Sequence, residues 1–286
     1  MAQDNILIAT SIVPGARQDI QAAAVQSWLD HGFHVASLNA PDEIDRLRGT
    51  YPGVDFILQM RTGKLETGRP VIYLSDMLHH LKESGRRTLG IVNSDIYLPP
   101  NPKLPNFVSG NTEKSLLFGP RQEVPEFGTG EGKMDPFGFD YFFFDSEILR
   151  IWPECKFCLG MPFWDLWFPL VPIFAGVAAK KLISPAARHI PHPTQRDDSF
   201  FMFNNEFVEV LLPQLGKTPD GAETFGAEID GAAYPALLNE ARTSQASGAP
   251  EAERLAALEN LAAYLDELTR YVIGYIDRNS EKIELA

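Results

Sequence analysis

Residues 87–97 read RTLGIVNSDIY, from Arg87 to Tyr97. The apolar run Leu89-Gly90-Ile91-Val92 stops abruptly at Asn93-Ser94-Asp95. An apolar run without polar alternation suits a strand covered on both faces, as in a parallel sheet. Asx residues at its end have a local use, because their side chains bond a turning backbone. A second reading puts Asp95 at the carboxyl end of a parallel strand, where open α/β sheets hold ligands.

Upstream, the pattern alternates. Asn5 to Thr10 (NILIAT) is a short, β-branched strand, and Gln18 to His31 carries Ile20, Ala23, Ala24, Ser27 and Trp28 at helical spacing. Gly32 ends that helix, and Phe33 to Asn39 reads as a second strand. A short helix and a third strand around Val54 to Gln59 follow, then an amphipathic helix over Pro70 to Ser84 that Gly85 ends. Strands alternating with helices mean βαβ units and right-handed crossovers. The predicted fold is α/β: a mostly parallel, Rossmann-like sheet flanked by helices, with a C-terminal helical extension.

Downstream, the alternation fades. Ser115 to Val124 reads as one strand, Phe137 to Asp145 as an aromatic strand and Leu182 to Ser184 as a short one. Between them, Glu126 to Pro136 is Gly-rich and contains Gly-Thr-Gly-Glu-Gly-Lys (Gly128 to Lys133). The phosphate-loop spacing fails there, because Phe127 and Met134 stand where the motif needs Gly and Ser or Thr. A flap or surface loop is the better reading. Residues 216–250, rich in small and polar residues, suit a linker with one short helix near Ala233 to Ala241. Glu251 to Arg278 is a long helix striped by Leu255, Leu258, Ala262, Leu265, Leu268, Val272 and Ile276. That stripe packs on its own domain or drives homo-oligomerisation. The expected boundaries are a nucleotide-binding domain over 1–215, a linker over 216–250 and the helix within 251–286.

Composition removes some functions. A net charge of −13 repels nucleic-acid phosphates, and no basic cluster offsets it. The amino terminus lacks a basic stretch followed by a long apolar core, so a cytoplasmic location is expected. The most apolar window, Phe157 to Ala179, is interrupted by Pro162, Asp165, Pro169 and Pro172, which suits a core rather than a transmembrane segment. Cys155 and Cys158 form C-x-x-C, but His189 and His192 lie too far on and too close together for the usual zinc spacing. Structural thiols in a reducing compartment are the simpler reading.

The succession ILIATSIVPG, SWLDHGFHVASLN, LGIVNSDIYL, FGFDYFFF and GMPFWDLW resembles the bacterial nucleotide-sugar glycosyltransferases of the A-type (GT-A) fold, over roughly residues 5 to 205. The resemblance implies a nucleotide-sugar donor, a glycan acceptor in surface polysaccharide synthesis, and a divalent cation, manganese or magnesium. It implies that Thr10 and Ser11 face the nucleoside, that Asn39 joins them on the same edge, and that Asp95 holds the metal or the donor itself. Each of these also serves as a turn residue. Asn93 stands where the family's D-x-D motif has its first acid, which removes one charged ligand.

Asp165 lies among Phe163, Trp164, Trp167 and Phe168. Desolvation raises a carboxyl toward the range useful to a general base, and aromatic faces suit a sugar ring. Capping a helix is the plainer use of such an Asp. In the resemblance a histidine meets the metal or diphosphate, and His192, before a proline-fixed turn, is the better candidate than His189. Arg121 leaves an apolar strand toward the loop and is suited to bidentate diphosphate binding or to a surface ion pair. Two rivals remain: a nucleotidyltransferase on a similar sheet, and a catalytically silent nucleotide-sugar or glycan-binding protein.

Overall fold

The computed structural model describes residues 6–128, 131–192, 198–217, 224–226 and 229–285. Its first half alternates as the sequence predicts: β1 (Leu7–Thr10), α1 (Gln18–Asp30), β2 (His34–Asn39), α2 (Pro41–Leu47), β3 (Val54–Leu58), α3 (Lys64–Thr67), α4 (Leu74–Glu83) and β4 (Thr88–Val92). There follow α5 (Leu104–Asn111), β5 (Ser115–Phe118), β6 (Arg121–Glu123), β7 (Lys133–Asp135), β8 (Tyr141–Asp145), α6 (Trp164–Phe174), β9 (Ala178–Leu182) and β10 (Arg188–His189). The chain continues with α7 (Asp198–Leu211), α8 (Ala233–Ala246), α9 (Glu251–Arg278) and β11 (Glu281–Ile283).

Eight strands form one sheet in the order β11-β9-β5-β8-β4-β1-β2-β3, flanked by helices. Every pairing in it is parallel except those of β8, which runs antiparallel to both β4 and β5. That reversal matters for position. Tyr141 at the start of β8 pairs with Val92 at the end of β4, so Asp140 arrives beside Asn93. Gly90 permits the close pairing: a Cβ there would sit 2.8 Å from the Phe143 ring and 3.2 Å from the Phe142 carbonyl. The core on the β1 side includes the fully buried Ile8, Trp28 and Val92.

The expected single strand over Ser115–Val124 is two strands in two sheets. At Gly119 a Cβ would lie 2.2 Å from Tyr141 Oη and 2.6 Å from the Leu182 carbonyl, so the chain passes tight against β8 and β9 before leaving the large sheet. Beyond that corner, β6 pairs in parallel with β10 and antiparallel with β7. The Gly-rich segment therefore contributes strand β7 as well as loop, with residues 129 and 130 outside the described part. The short strand expected at Leu182–Ser184 lies earlier, at Ala178–Leu182, where Lys180 and Lys181 hide it from an apolar count.

The chain divides into two compact units, Met1–Phe207 with Ser280–Ala286, and Val208–Asn279. The closing residues thus return to the sheet, where β11 pairs with β9. In the second unit, α9 buries Ala257, Leu261, Leu265, Leu268, Val272, Ile273, Tyr275 and Ile276. The sequence stripe holds from Leu265 onward, but towards the amino end Leu255 is 51% exposed and Ala257 and Leu261 take the inner face. Both series fit i, i+3, i+4 spacing, so the pattern alone does not select the face that is covered. Among the described residues, no helix is long and apolar enough to cross a membrane.

Candidate functional site

The carboxyl ends of β1, β2 and β4 lie side by side, and their polar residues are partly consumed in holding that edge together. Thr10 is fully buried, and its hydroxyl donates to the Val92 carbonyl at 2.7 Å, tying the ends of β1 and β4. Asn39 is also fully buried. Its amide nitrogen donates to the Ile12 carbonyl at 2.9 Å and to Glu43 at 3.1 Å, while its oxygen accepts from Ser37 at 2.6 Å. These two side chains brace the loop after β1. Ser11 remains half-buried at the strand's exit. Gln21 of α1 clasps the same loop, bonding both backbone groups of Val13 at 2.9 Å and accepting from Ser94 at 2.7 Å.

Asp95 follows directly. His189 Nε2 stands 3.3 Å from Asp95 Oδ2, and His192 Nε2 stands 3.6 Å from the same atom. Arg17 reaches that oxygen at 3.4 Å and also donates to the Ile190 carbonyl at 2.5 Å. Arg17 sits in the left-handed region, φ 43°, at the entry to α1. Burial by itself would push the Asp95 carboxyl up; bonds from His189 and His192, with the charges of His189 and Arg17, outweigh it and hold the group far below the usual carboxylate range. One donor atom each from Asp95, His189 and His192 lie within 4.8 Å of one another. Two imidazole nitrogens and a carboxylate oxygen at that separation fit a divalent cation. Asp95 and His192, both named from the sequence for a cation, lie side by side; His189, which is 7% exposed against 45% for His192, is the more deeply placed of the pair.

Arg121 has a different setting from the one expected of a diphosphate anchor. Its Nε bonds Glu123 at 2.7 Å, its Nη2 lies 3.2 Å from Asp135, and its Nη1 bonds Asp140. Three carboxylates therefore occupy its guanidinium. Gly138 lies against its flat side, where a Cβ would come within 2.7 Å of the guanidinium carbon. Asp140 in turn accepts from the Asn93 amide at 2.6 Å. Asn93, in place of an acid, is thus the donor that ties the β4 end to β8. Glu123 completes a chain of contacts, its oxygens 3.0 and 3.2 Å from His189 Nδ1. Asn93, Asp140, Arg121, Glu123, His189 and Asp95 form one ring that begins and ends on the same turn.

Asp165 stands in the first turn of α6, two residues after Phe163, whose φ of 70° admits the chain to the helix. Burial pushes its carboxyl up to about 6, opposed first by the charge of Arg121 and then by backbone N–H bonds from Asp165 itself, Leu166 and Phe139. It is therefore both a receiver of helix-end N–H groups and a carboxyl with raised proton affinity. The aromatic residues expected to face a sugar do not. Trp164, Trp167 and Phe168 are at most 2% exposed, packed into the core against Phe142, Phe157 and Trp152. Phe163 stacks on Phe207 at 5.0 Å. The apolar run that flagged this segment is a core helix pattern. Cys155 and Cys158 are free and buried, and burial pushes the Cys155 thiol up to about 11, so the pair is inert packing rather than a thiolate site.

Sequence reasoning missed Arg17, Glu123 and Asp140. Arg17 lay in the basic turn IVPGARQD, whose signal is faint, and Asp140 lay inside FGFDYFFFD, where it reads as one polar position in a strand. Glu123 had no signal at all, because its value depends on register with His189 across β6 and β10.

No family profile matches this chain, and no curated protein does. Solved structures do show likeness. The mannosyltransferase PcManGT from Pyrobaculum calidifontis, in complex with GDP-Man and Mn2+, is 13% identical with a TM-score of 0.46, covering 96% of this chain and 86% of that one. HddC from Yersinia pseudotuberculosis is 12% identical with a TM-score of 0.40, over 64% of this chain and 91% of that one. The inositol-1-phosphate CTP transferase from T. maritima is 11% identical with a TM-score of 0.41, over 73% and 98%. At these values the likeness is a similarity and nothing more, and the functional reading rests on the site's own geometry.

Proposed function

We propose that this protein is a glycosyltransferase that moves a sugar from a nucleoside-diphosphate donor to a hydroxyl of a glycan acceptor, in bacterial surface polysaccharide synthesis. The observation that carries the reading is the convergence of Asp95, His189 and His192 at the carboxyl end of β4, with Arg17 beside them. That edge of an open parallel sheet is where nucleotides bind. Asp95, His189 and His192 would hold a divalent cation there, which would neutralise charge on a diphosphate leaving group. Arg17 supplies a guanidinium for the same anion. Asp165 is the base: it takes the proton of the acceptor hydroxyl as that oxygen attacks the anomeric carbon. The bond from that carbon to the diphosphate breaks, and the electron pair leaves with the diphosphate. Buried free thiols agree with a cytoplasmic setting.

The test is a panel of nucleotide sugars, with manganese or magnesium, monitored for release of nucleoside diphosphate. Release that depends on the cation and falls in the Asp95→Ala variant is the expected result. No release from any donor, by a folded chain, overturns it. One observation favours a second reading: Arg17, a basic residue in the turn after the first strand, suits the triphosphate of a nucleotidyltransferase substrate. Pyrophosphate release from a nucleoside triphosphate and a sugar phosphate, without diphosphate release from nucleotide sugars, selects that alternative.

A further inference from the structure

Glu123 does not touch Asp95, yet it decides what Asp95 meets. It is the register partner of His189 across β6 and β10, and both its oxygens lie within 3.2 Å of His189 Nδ1. An ionised carboxylate only accepts hydrogen bonds, so Nδ1 carries the proton. Nε2 is then the nitrogen that can give up its proton to a cation. It faces Asp95 Oδ2 at 3.3 Å, and His192 turns a second Nε2 toward the same oxygen at 3.6 Å. Two imidazole nitrogens turned toward one carboxylate oxygen can trade their protons for a single cation between them.

Glu123 is itself held. Arg121 bonds it at 2.7 Å and is anchored on its other edges by Asp135 and Asp140. Rotating Glu123 away from His189 breaks an ion pair that two further strands support. Burial would push the Glu123 carboxyl up, but bonds from Arg121 and His189 more than offset this and keep it below its ordinary range.

We infer that Glu123 is the positioning carboxylate of the cation site, that His189 is a ligand through Nε2, and that the two-imidazole, one-carboxylate set takes manganese, cobalt or zinc in preference to magnesium. The inference rests on the cation proposed above at Asp95. Its chemistry is general: a carboxylate behind a ligating histidine fixes the tautomer and ring orientation. Imidazole suits the later transition metals, whereas magnesium seeks oxygen ligands and keeps its waters.

Calorimetric titration of the metal-free full chain with MnCl2, CoCl2, ZnCl2 and MgCl2 in turn tests the preference. Manganese or cobalt should bind about tenfold or more tightly than magnesium. Glu123→Gln, which keeps size and one acceptor, should weaken manganese binding by about 10- to 100-fold and change the visible spectrum of the cobalt form. Long-range proton–nitrogen spectra of the zinc-loaded chain should show His189 protonated at Nδ1 and bound through Nε2, and a mixture of tautomers in Glu123→Gln. A purely structural role for Glu123 would not move that tautomer. Equal affinity for magnesium overturns the preference on the unmutated chain, whatever the variant does. A folded Glu123→Gln chain with unchanged manganese affinity and tautomer overturns the positioning role. Tight manganese binding without turnover of any nucleotide sugar sinks the glycosyltransferase reading and leaves this one standing; magnesium-supported turnover at equal affinity does the reverse.

Discussion

Asp95 and Asp165 are both partly covered carboxylates of the same compact unit, and their surroundings drive them in opposite directions. Asp95 is ringed by two imidazoles and a guanidinium, and its carboxyl is held far below the ordinary range. Asp165 has burial without a bonded cation; Arg121 acts on it only through its field, being spent on Glu123, Asp135 and Asp140, and its carboxyl rises to about 6. In the proposed reaction, two acids pushed apart in proton affinity would divide the labour: the low one stays charged as a ligand, the high one exchanges protons near neutrality. One arginine separates them. It bonds neither, but its charge restrains the rise of Asp165 and it holds the carboxylate beside His189.

The comparison breaks first at Arg121. Arg121→Met removes the charge shared by three carboxylates, one of which, Asp140, is only 7% exposed. Breaking a buried ion pair from one side costs about 3–5 kcal/mol. Denaturant unfolding at neutral pH should show a loss of that order, shrinking as acid protonates the stranded carboxylates. A loss below about 1 kcal/mol would mean that the hub is solvated and separates nothing.

Asp165→Asn is the next largest. It keeps shape and hydrogen bonding but removes the proton acceptor, so transfer should fall by about 100-fold or more, the ordinary worth of a general base. Calorimetry with a nucleoside diphosphate and manganese should find donor binding intact, because Arg17 and Asp95 are untouched. Asn serves helix ends about as well as Asp. Near-normal transfer by a folded variant would leave Asp165 as a helix-end residue alone.

The pH profile sharpens the same contrast. A base must be ionised, so kcat/KM should fall as pH drops through about 6, and that limb should vanish in Asp165→Asn. Stability runs the other way for this group. Its folded proton affinity exceeds the ordinary aspartate value of 3.8, so the folded state binds the proton more tightly, and this contribution to stability declines as pH rises from about 4 through about 6. Asp95, held low, should add no limb in that window. Ser94→Ala is the gentlest probe: it removes the 2.7 Å bond to Gln21 next to Asp95 and should cost about 1 kcal/mol by thermal unfolding.

Legibility in the sequence followed the range of the interaction. Strands β1 to β4 were readable because each is a local apolar run closed by a turn residue, and the parallel order follows from the helices between them. Past Asn93 the same method read two strands, β5 and β6, as one. The corner at Gly119 exists only because Tyr141 and Leu182 crowd it from other strands. The aromatic segment around Asp165 was legible as core, but not that Trp164, Trp167 and Phe168 are covered on every side, since composition does not say which side of a ring is covered.

Asp95 and Asp165 could be singled out from sequence because each is an acid set against an apolar run, a contrast visible within a few residues. The alternating strands and the polar ends of β1, β2 and β4 were determined there too, by local periodicity and turn chemistry. Which atoms face Asp95 was decided only by the tertiary structure. His189 meets Glu123 through a strand register, Asp140 reaches Asn93 because β8 runs backward, and Arg17 arrives from the turn before α1. Hydrogen bonds and ion pairs act over about 3 Å, and those partners are separated along the chain by 66, 47 and 78 positions. Nothing local in the sequence encodes such a distance; the packing of the sheet does.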